Sequence, residues 1–433
     1  MIVVQKLKIS FMERGKINWN YCRVRRAIIS FIFLGAAMLP LVLASCSSDD
    51  LGDGGKMTYK AIQLSGAEAQ VSTTVNDFSL KYAFEAFGLN PGNTLVAPYS
   101  MQISLSMLAN GASGNTLSEI LNVLGFNNRE LKDVNAYNQK MWKSLGTSDP
   151  NTTLCIANGL WTRRFNADYA ALIKEWYDGE VASASLTSKE STDTINDYFN
   201  QKTNGLVPKA LNKLEVSSAW ALVVNVLYFK SEWTHKFQKE LTSKGSFNNA
   251  DGSTSEVDMM SQTTNLKSCS NSAYTYVKLP FGNGAFSFDV ILPTDRSLNE
   301  SIALLKSYGL PSERDFKEYK TLIVLPKFEF QSKAEGKEVL KKMGVHDVFD
   351  TDRALLPLIY PGSVLNSIDQ ACKVKIDEEG GEASATTRGD LQYWSALDAP
   401  KPDKVIRVDH PFIYMIRENS TGAILLMGKM VKM

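Results

Sequence analysis

Histidine is scarce in this sequence: His235, His346 and His410 are the only three among 433 residues. The sequence also has no Gly-x-Ser-x-Gly motif of the kind that carries a nucleophilic serine, and no cysteine and histidine pairs at zinc-ligand spacing. These absences argue against a hydrolase or a metalloenzyme, so we expect no catalytic activity, no metal and no cofactor. His410 precedes Pro411 in a strand-like block and is interpreted as a structural residue.

Cysteine is present but shows no paired spacing. The five cysteines are Cys22, Cys46, Cys155, Cys269 and Cys372, and the first two belong to the N-terminal segment described below. The remaining three are an odd number, which argues against a disulfide framework. We expect each of these three to behave as a small core hydrophobe and not as a reactive thiol.

Neither sign of charge is in large excess. The chain has 47 basic and 46 acidic residues, which gives a net charge of +1. Residues 1–45 hold seven of the basic residues and one of the acidic residues, so the remainder carries a net charge of about −5. No basic stripe is present, and we therefore expect no nucleic acid as a partner.

A hydrophobic run long enough to span a membrane is also missing. The strongest candidate, residues 27–43, is interrupted by Gly35 and Pro40, whereas a spanning helix needs roughly 20 apolar residues. Three arginines within residues 23–26 precede this run, and that order is typical of a secretory signal peptide. We therefore predict that residues 1–45 are a signal peptide that is removed.

The apolar run ends in the sequence Leu-Ala-Ser-Cys at residues 43–46, which resembles the bacterial lipoprotein signal. The resemblance implies that the thiol of Cys46 is acylated and that this residue becomes the mature N-terminus. Several acyl chains on one residue anchor a protein stably, whereas a single chain, at about 0.8 kcal/mol per buried methylene, holds it only marginally. The alternative is a secreted protein with a chance cysteine at this position.

Residues 46–72 follow the signal and begin with a polar, glycine-rich stretch, which predicts a flexible tether. The acidic pair Asp49 and Asp50 resembles the surface-export signal of Bacteroidetes lipoproteins. We therefore expect an outer-membrane lipoprotein on the cell surface, attached to the membrane through its lipid alone. Attachment at the periplasmic face and secretion are the alternatives.

Helix patterns occur early in the remaining sequence. Thr116 and Glu119 have the spacing of a capping box, apolar residues follow at helical spacing, and Gly125 ends the pattern. Two further helix patterns end in glycine, at Gly88 and Gly344.

Strand patterns dominate the later part of the chain. Short runs rich in branched, aromatic or other apolar residues occupy residues 221–229, 286–292, 321–330, 412–416 and 424–427. Helices early and strands late indicate an α+β fold with large sheets and not an alternating α/β fold. Because residues 73–433 contain no repeat, low-complexity segment or long linker, we predict that they form one domain.

Five blocks of sequence resemble the serpin family and keep its order and spacing. They are NTLVAPYSMQISLSMLANGASGNTLSEILNVLGF from residue 93, NDYFNQKTNG from 196, LVVNVLYFKSEW from 222, VLPKFEF from 324 with the following MGVHDVF, and HPFIYMIRENSTGAILLMGKM from 410. The resemblance implies a serpin fold: three β-sheets, the largest of them central, with eight to nine helices and an exposed reactive loop near the C-terminus.

The segment IDEEGGEASATTRGDLQYWSALDAP, residues 376–400, alternates between two kinds of side chain. Small or apolar residues occupy every second position from Gly381 to Leu391, and polar residues from Glu382 to Gln392 fill the positions between them. A period of two is typical of a strand, but the groups on the apolar face are too small to hold a strand in place alone. Such a segment can remain a loop and still fit between two strands that part to admit it.

The resemblance implies what this loop does. The native fold would be metastable, with the loop outside the central sheet. A serine or cysteine protease that attacks the loop would form an acyl bond to it, and the freed loop would then insert into the sheet as a new strand. The sixteen steps from the hinge residue Glu378 to the cut span roughly 50 Å. The protease would be carried over this distance and its active site distorted. It would then remain trapped in a covalent complex with the inhibitor, which we expect to be a monomer.

The resemblance also places the hinge and the cut. The hinge is Glu378, Glu379, Gly380, Gly381, Glu382, Ala383, Ser384, Ala385 and Thr386. In the family's commonest loop length the cut would fall between Trp394 and Ser395, sixteen residues after Glu378. The alternative residues for the cut are Tyr393, Leu391, Leu397 and Arg388. An aromatic residue before the cut implies chymotrypsin-like or cathepsin-G-like targets, with elastase-like enzymes as a further class.

Several core positions match the family. Ser100 and Asn225 match residues of the shutter, the polar groups under the opening sheet that exchange hydrogen bonds as its strands separate. Trp233 matches the tryptophan near the loop's entry point. Gln370 stands where the family usually has histidine, and Ala97 replaces a common serine. The alternative interpretation of these positions is a set of ordinary core polar groups and a core aromatic.

Two further departures concern the loop. Gly381 replaces the usual threonine, serine or valine, and its flexibility is expected to slow insertion. The segment of residues 396–409 is several residues longer than is typical.

A noninhibitory serpin that acts as a carrier, a chaperone or a protease substrate is the main alternative function. Such members usually carry bulky, charged or proline residues on the inserting face, and the core-facing positions within residues 381–389 have none. A general surface-binding lipoprotein is a third interpretation, which the lack of an aromatic binding platform disfavours.

Overall fold

The structure, a computed structural model, describes residues 59–186, 189–211, 221–294, 297–381 and 401–433. These residues form eight α-helices, six of which lie before residue 203. The helices are α1 (Gly66–Leu89), α2 (Pro98–Gly111), α3 (Gly114–Leu124), α4 (Leu131–Leu145), α5 (Ala167–Tyr177), α6 (Lys189–Lys202), α7 (Leu298–Tyr308) and α8 (Gly336–Met343).

Fifteen strands are described, and twelve of them follow residue 220. They are β1 (Thr94–Val96), β2 (Thr153–Thr162), β3 (Glu180–Ser183), β4 (Ala221–Glu232), β5 (Ser243–Asn248), β6 (Thr254–Ser270), β7 (Tyr274–Phe281), β8 (Phe286–Pro293), β9 (Lys317–Pro326), β10 (Phe328–Glu335), β11 (Leu365–Ile376), β12 (Gly380–Gly381), β13 (Lys404–Arg407), β14 (Phe412–Glu418) and β15 (Ile424–Met430). The prediction of an α+β fold with early helices and late strands is confirmed.

The strands form two hydrogen-bonded sheets. The six-stranded sheet has the order β10-β11-β12-β4-β2-β3, with β11 also paired directly to β4. The nine-stranded sheet has the order β1-β15-β14-β8-β7-β6-β9-β13, with β5 on β6. The resemblance implies three sheets, and two of these are continuous here. They are joined by β6, because this 17-residue strand pairs with β5 and β9 along most of its length and with β7 at its end.

Strand β4 lies at the centre of the fold and is buried on both faces. Val223 and Leu227 face the main core, which lies between the two sheets and the first helices. Val224 and Val226 face a smaller cluster that includes Phe199 of α6. Burial on both faces explains why β4 is an almost continuous apolar run in the sequence.

Helix α2 is also buried all round. Each of its 14 residues is buried, and Pro98 occupies the first helical position, where a missing N–H costs nothing. A helix that is buried on every side belongs in the middle of a large core. It packs against α1, β4 and β15.

The predicted capping box at Thr116 and Glu119 is wrong. Helix α3 begins earlier, at Gly114, with Ser113 as the residue before it. The hydroxyl of Thr116 instead accepts a hydrogen bond from the N–H of Leu355, and the carboxylate of Glu119 accepts from the N–H groups of His346 and Asp347. The spacing of the two residues is that of a cap, but their partners come from a distant segment. The predicted end of the helix at Gly125 is confirmed, with φ of +76° at that residue.

Two predicted boundaries differ from the structure. Helix α1 begins at Gly66 with a complete capping box of Ser65 and Glu68, so residues 66–72, assigned above to a flexible tether, are its first two turns. The single strand predicted at residues 321–330 is two strands, which separate at Lys327 and belong to different sheets.

None of the helices in the described ranges is both long enough and apolar enough to cross a membrane.

Candidate functional site

The hinge enters the six-stranded sheet as the short strand β12, between β4 and β11. Gly381 pairs with Ile376 of β11 and with Ser231 of β4, and Gly380 pairs with Glu232. Both pairings of β12 are antiparallel, whereas β4 and β11 run parallel to each other. A strand that continued from β12 would therefore run between β4 and β11 and be antiparallel to both.

The direct pairing of β4 with β11 closes the sheet below β12. Within the described residues seven parallel pairs join the two strands, from Leu365 opposite Ala221 to Cys372 opposite Leu227. Above these pairs the two strands are joined through β12. The seven pairs are the part of the sheet that must open if the strand of β12 is to grow.

Asp377 organises the turn between β11 and β12. Its carboxylate accepts hydrogen bonds from the N–H groups of Glu379 (3.0 Å) and Gly380 (3.3 Å), and its own N–H donates to the Gly380 carbonyl (3.0 Å). Gly380 has φ of +150°, and a Cβ at this position would lie 2.1 Å from the carbonyl oxygen of Ser231. Glycine is required here, because any side chain would push β12 away from β4.

Trp233 fixes the backbone of the same turn. Its indole N–H donates to the Asp377 carbonyl (2.7 Å), and its backbone N–H donates to the Glu379 carbonyl (2.9 Å). Its ring stacks on Phe281 with the ring centroids 4.5 Å apart. Trp233 therefore lies directly against the hinge and holds it to the end of β4.

Glu378 is a buried carboxylate with two partners. It is 5% exposed, Lys327 lies 2.8 Å from one of its oxygens, and the Thr242 hydroxyl donates to the other (2.8 Å). Burial by itself would raise the pKa of Glu378, but the hydrogen bonds from Lys327 and Thr242 outweigh it and hold the pKa below its usual value. Glu378 is therefore charged at neutral pH, and it ties the hinge to the start of β10.

Glu379 is paired at the surface. Lys236 lies 3.0 Å and Lys239 lies 3.2 Å from its carboxylate oxygens, and the hydrogen bond from Lys236 is the main cause of its lowered pKa. Lys236 also pairs with Glu232 of β4 at 3.0 Å. These groups are partly exposed, so the pairs contribute less to stability than the buried contacts of Glu378.

Gly381 differs from Gly380 in the space around it. A Cβ at Gly381 would lie 3.7 Å from the ring of Phe281 and 3.8 Å from the ring of Phe229, which are ordinary contact distances. A side chain at this position would face the main core, to which both rings belong. The usual threonine, serine or valine of the family would therefore find space for its Cβ here, and Gly381 is not required by the backbone.

Three amide side chains form a row across the middle of the six-stranded sheet. Asn225 of β4 lies opposite Asn158 of β2 and opposite Gln370 of β11, and its amide donates to the side-chain oxygen of Asn158. Gln370 donates to the Ala97 carbonyl (2.7 Å) and accepts from the Ala97 N–H (3.4 Å) and the Tyr82 hydroxyl (3.2 Å). The two departures noted in the sequence, Gln370 and Ala97, thus bond to each other.

Two side-chain atoms of the predicted shutter remain unpaired among the described residues. The hydroxyl of Ser100, on α2, and the side-chain oxygen of Asn225 are buried without a hydrogen-bond partner there. A buried polar atom of this kind destabilises the state in which it is unpaired.

The rest of the predicted loop site lies outside the described residues. The hinge residues concerned are Glu382, Ala383, Ser384, Ala385 and Thr386, and the residues at the predicted cut and its alternatives are Arg388, Leu391, Tyr393, Trp394, Ser395 and Leu397. The predicted lipidation site, Cys46, also lies outside them. The chain is described again from residue 401, where β13 pairs with β9 at the edge of the nine-stranded sheet.

His410, interpreted above as a structural residue, makes contacts within the fold through both of its ring nitrogens. One ring nitrogen of His410 lies 2.9 Å from the Asp409 carboxylate and the other 2.8 Å from the Pro293 carbonyl oxygen. Both nitrogens are thus engaged in contacts within the fold. In the described ranges no group of histidine, cysteine, aspartate and glutamate side chains is arranged to hold a metal ion.

The three cysteines in the described ranges are free thiols. Burial raises the pKa of Cys372 to about 12 and that of Cys269 to about 11, and it also raises the pKa of Cys155. A thiol with a raised pKa is a weak nucleophile at neutral pH. Cys372 lies in the main core, and the other two are partly buried.

The sequence did not predict the residues outside the hinge that bind Glu378. Lys327 and Thr242 are 51 and 136 residues away from Glu378, and nothing in their local sequence marks them as its partners. The role of Asp377 had a local signal, because an aspartate two residues before a turn commonly accepts from the backbone N–H groups that follow it.

The comparisons with known proteins agree with this geometry. The family model described as Serpin (serine protease inhibitor) matches residues 73–433. The chain is 27% identical to human leukocyte elastase inhibitor over 83% of this chain and 98% of that protein, and 29% identical to rat glia-derived nexin over 78% and 87%. Among solved structures, the native state of the thermophilic serpin tengpin is 25% identical with a TM-score of 0.77, covering 86% of this chain and 96% of that one.

We expect Gly381→Ala to stabilise the intact protein by roughly 0.4–1 kcal/mol, because the methyl group has room and the unfolded chain loses freedom. Gly380→Ala is the matched control one residue earlier, and it should lower stability because of its clash with the Ser231 carbonyl. The midpoint of thermal unfolding at a fixed scan rate measures both effects. If the two variants shift this midpoint in the same direction, the described position of the hinge between β4 and β11 is wrong.

The lowered pKa of Glu378 predicts a dependence of stability on pH. A carboxylate whose folded pKa lies below its unfolded value, about 4.3, stabilises the fold above that value and loses the effect as the pH falls through the folded pKa. We therefore expect the thermal midpoint to fall on acidification below about pH 4, and to fall less in Glu378→Gln. The exposed control Glu240→Gln should follow the unmodified protein. Parallel curves for the unmodified protein and Glu378→Gln would contradict this role of Glu378.

Proposed function

The chain belongs to the serpin family, and on this premise we propose that it is a suicide inhibitor that traps a serine protease, or a cysteine protease, as a covalent acyl complex. Protease inhibition is the activity that names the matched family, and one relative is named as an inhibitor of leukocyte elastase. The segment between Gly381 and residue 401 is the proposed reactive loop that the protease cleaves.

The covalent step takes place at the bond after Trp394. The nucleophile of the protease attacks the carbonyl carbon of Trp394, the bond to the nitrogen of Ser395 breaks, and the general acid of the protease protonates the new amine. The aromatic side chain of Trp394 suits the specificity pocket of chymotrypsin-like or cathepsin-G-like enzymes, with elastase-like enzymes as a further class. An inhibitor results only if insertion of the loop is faster than hydrolysis of the acyl bond by water.

The register of β12 carries the proposal. Because Gly381 already pairs with both neighbouring strands and faces the main core, each second residue after it would face the core in turn. The residues in these positions are Ala383, Ala385, Thr387, Gly389 and Leu391. This is the small or apolar set of the loop, so the register and the sequence pattern agree on which face would be buried.

The same register would bring the one hydroxyl group on this face, that of Thr387, to the middle of the sheet. Thr387 lies six residues after Gly381, and six residues back along each neighbouring strand are Asn225 and Gln370. The inserted strand would thus place Thr387 in the row of amides, where a hydroxyl can exchange hydrogen bonds. A shift of the register by one residue would instead turn the charged face of the loop towards the core.

Insertion also has a source of free energy. The inserted strand would replace the parallel pairing of β4 and β11 by two antiparallel pairings, one on each side. Parallel pairing is slightly less stable per residue than antiparallel pairing. The inserted strand would need the seven pairs of β4 and β11 to open first, so the proposed intact state would be maintained by a barrier.

We expect incubation with chymotrypsin or cathepsin G to give an adduct that resists denaturants, with cleavage after Trp394. The cleaved protein should unfold at a higher temperature than the intact one, because its loop has become a strand. Gel electrophoresis, mass mapping of the cut and thermal unfolding measure these results. Cleavage by a full protease panel without any adduct would contradict inhibition and favour a noninhibitory member of the family.

Two hinge variants provide a matched pair for this experiment. Ala385→Arg would place a charged side chain on the core face between Leu227 and Cys372, so it should prevent insertion and give cleaved product without adduct. Ser384→Arg makes the same change on the opposite face, beside Lys373 of β11, whose side chain is partly exposed, and should still form adduct. The same amount of adduct from both variants would contradict the proposed register.

We propose further that Cys46 is acylated and anchors the domain to the outer membrane at the cell surface. The support is the sequence of residues 43–46 and the acidic pair that follows it. Expressed as the full chain in a lipoprotein-processing bacterium, the protein should incorporate labelled palmitate and sediment with membranes, and protease added to whole cells should degrade it. Cys46→Ala should abolish the labelling, whereas Cys22→Ala should not. Labelling that persists in Cys46→Ala would rule this anchor out.

A further inference from the structure

A cleft lies where helix α1 ends, helix α7 begins and strand β15 ends. Its volume is about 740 Å³, which is within the usual range for a small-molecule site. Exposed residues at its rim, among them Gly88 and Ala250, leave it open to solvent. Much of its wall is apolar, and the residues that form this part are Phe87, Pro293, Leu298, Pro411 and Val431.

A buried lysine, Lys429 of β15, forms part of the same wall. It is only 5% exposed, and its ammonium donates to two carbonyl oxygens at the end of α1, those of Phe87 (3.0 Å) and Asn90 (2.7 Å). These contacts cap the helix, whose negative dipole end favours a cation. An ammonium has three N–H donors, however, and the third has no acceptor among the described residues.

The charge of Lys429 also lacks an anionic partner in the part of the chain that the structure describes, where both of its hydrogen bonds go to neutral carbonyl groups. A buried charge is usually paired with an opposite one, because burial without such a partner is costly. Burial lowers the pKa of Lys429, as expected for an ammonium with no anion beside it. The helix cap therefore explains the two carbonyl contacts but not the third donor or the unpaired charge.

The surroundings of Lys429 combine this positive charge with apolar surface. The ammonium lies 5.8 Å from the centre of the Phe87 ring, which also lines the cleft. The first turn of α7 lines it too, and Ser297 accepts there from the N–H of Glu300. The N–H groups before Glu300 have no partner within the helix, so this turn adds a weak preference for negative charge. An acidic group attached to an apolar body would match both properties of the cleft.

We propose that this cleft binds a small organic anion with an apolar or aromatic body, held by an ion pair between its acidic group and Lys429. The acidic group accepts the third N–H of the ammonium, and the body lies against Phe87, Leu298 and Pro411. Because the ammonium is buried, an uncharged ligand of the same shape leaves it unpaired and binds more weakly. The inference is independent of the proposed function, since neither the reactive loop nor a protease takes part.

The test is a fluorescence titration of the purified protein with anilinonaphthalenesulfonate, an aromatic anion, and with phenylnaphthylamine, which has the same rings without the sulfonate. We expect the anion to bind at one saturable site and more tightly than the uncharged probe. Lys429→Met keeps most of the side-chain volume and removes the charge, so it should weaken binding of the anion roughly ten- to a hundredfold. It should not weaken binding of phenylnaphthylamine. Equal affinity of the anion for both proteins, or no saturable binding, would overturn the proposal.

Controls separate the ion pair from the structural role of Lys429. A distortion of the cleft would weaken both probes, whereas loss of the ion pair weakens the anion alone. Lys81→Met removes an exposed ammonium from α1 and should bind the anion like the unmodified protein; an equal loss in both lysine variants would indicate general attraction and overturn the site. If Lys429→Met does not fold, Ala250→Trp adds a large ring at the exposed rim and should weaken both probes. Unchanged binding in Ala250→Trp would place the probes elsewhere and overturn the proposal.

Discussion

Seven parallel pairs between β4 and β11 close the six-stranded sheet where a further strand would fit. While these pairs hold, this part of the sheet has no free backbone groups for an added strand, because the facing groups of β4 and β11 bind each other. Once the pairs open, an inserted strand can bond on both sides. In the proposed mechanism, the number of backbone hydrogen bonds would therefore favour the inserted state, while the need to break the existing pairs first would protect the intact state.

In the proposed mechanism, the hinge determines where such an exchange would begin. Gly380 fits only without a side chain, and Trp233 and Lys327 fix the turn before it, so Gly381 enters the sheet in one register. The register matters because a slip of one residue would exchange the small face of the loop for its charged face. Flexibility at Gly381 is compatible with this arrangement, since the constraint is imposed by its neighbours.

The sequence predicted the elements whose signals are local. The end of α3 follows from Gly125, and the central strand β4 follows from an apolar run that is buried on both faces. It did not predict the division between β9 and β10, because the apolar pattern continues through Lys327 although the chain changes sheets there. The capping-box spacing of Thr116 and Glu119 was misleading for a similar reason: their partners lie more than 200 residues away in the chain.

Among the site residues, the sequence predicted the types of side chain and not their connections. The change from histidine to Gln370 and the loss of a serine at position 97 suggest a weakened set of hydrogen bonds when each is considered alone. In the structure a glutamine amide can donate and accept at once, and Gln370 uses both groups on the backbone of Ala97, where no side-chain hydroxyl is needed. The two departures therefore form a consistent pair.

The unpaired oxygen of Asn225 fits the same scheme. Its amide nitrogen donates to Asn158, while its oxygen has no partner among the described residues. A buried acceptor without a donor raises the free energy of the intact state. In the proposed register the hydroxyl of Thr387 would arrive beside this oxygen, and Gln370 could keep its contacts with Ala97. Insertion would then satisfy a group that the intact fold leaves unpaired, so the polar centre of the sheet would favour the inserted strand together with the added backbone hydrogen bonds.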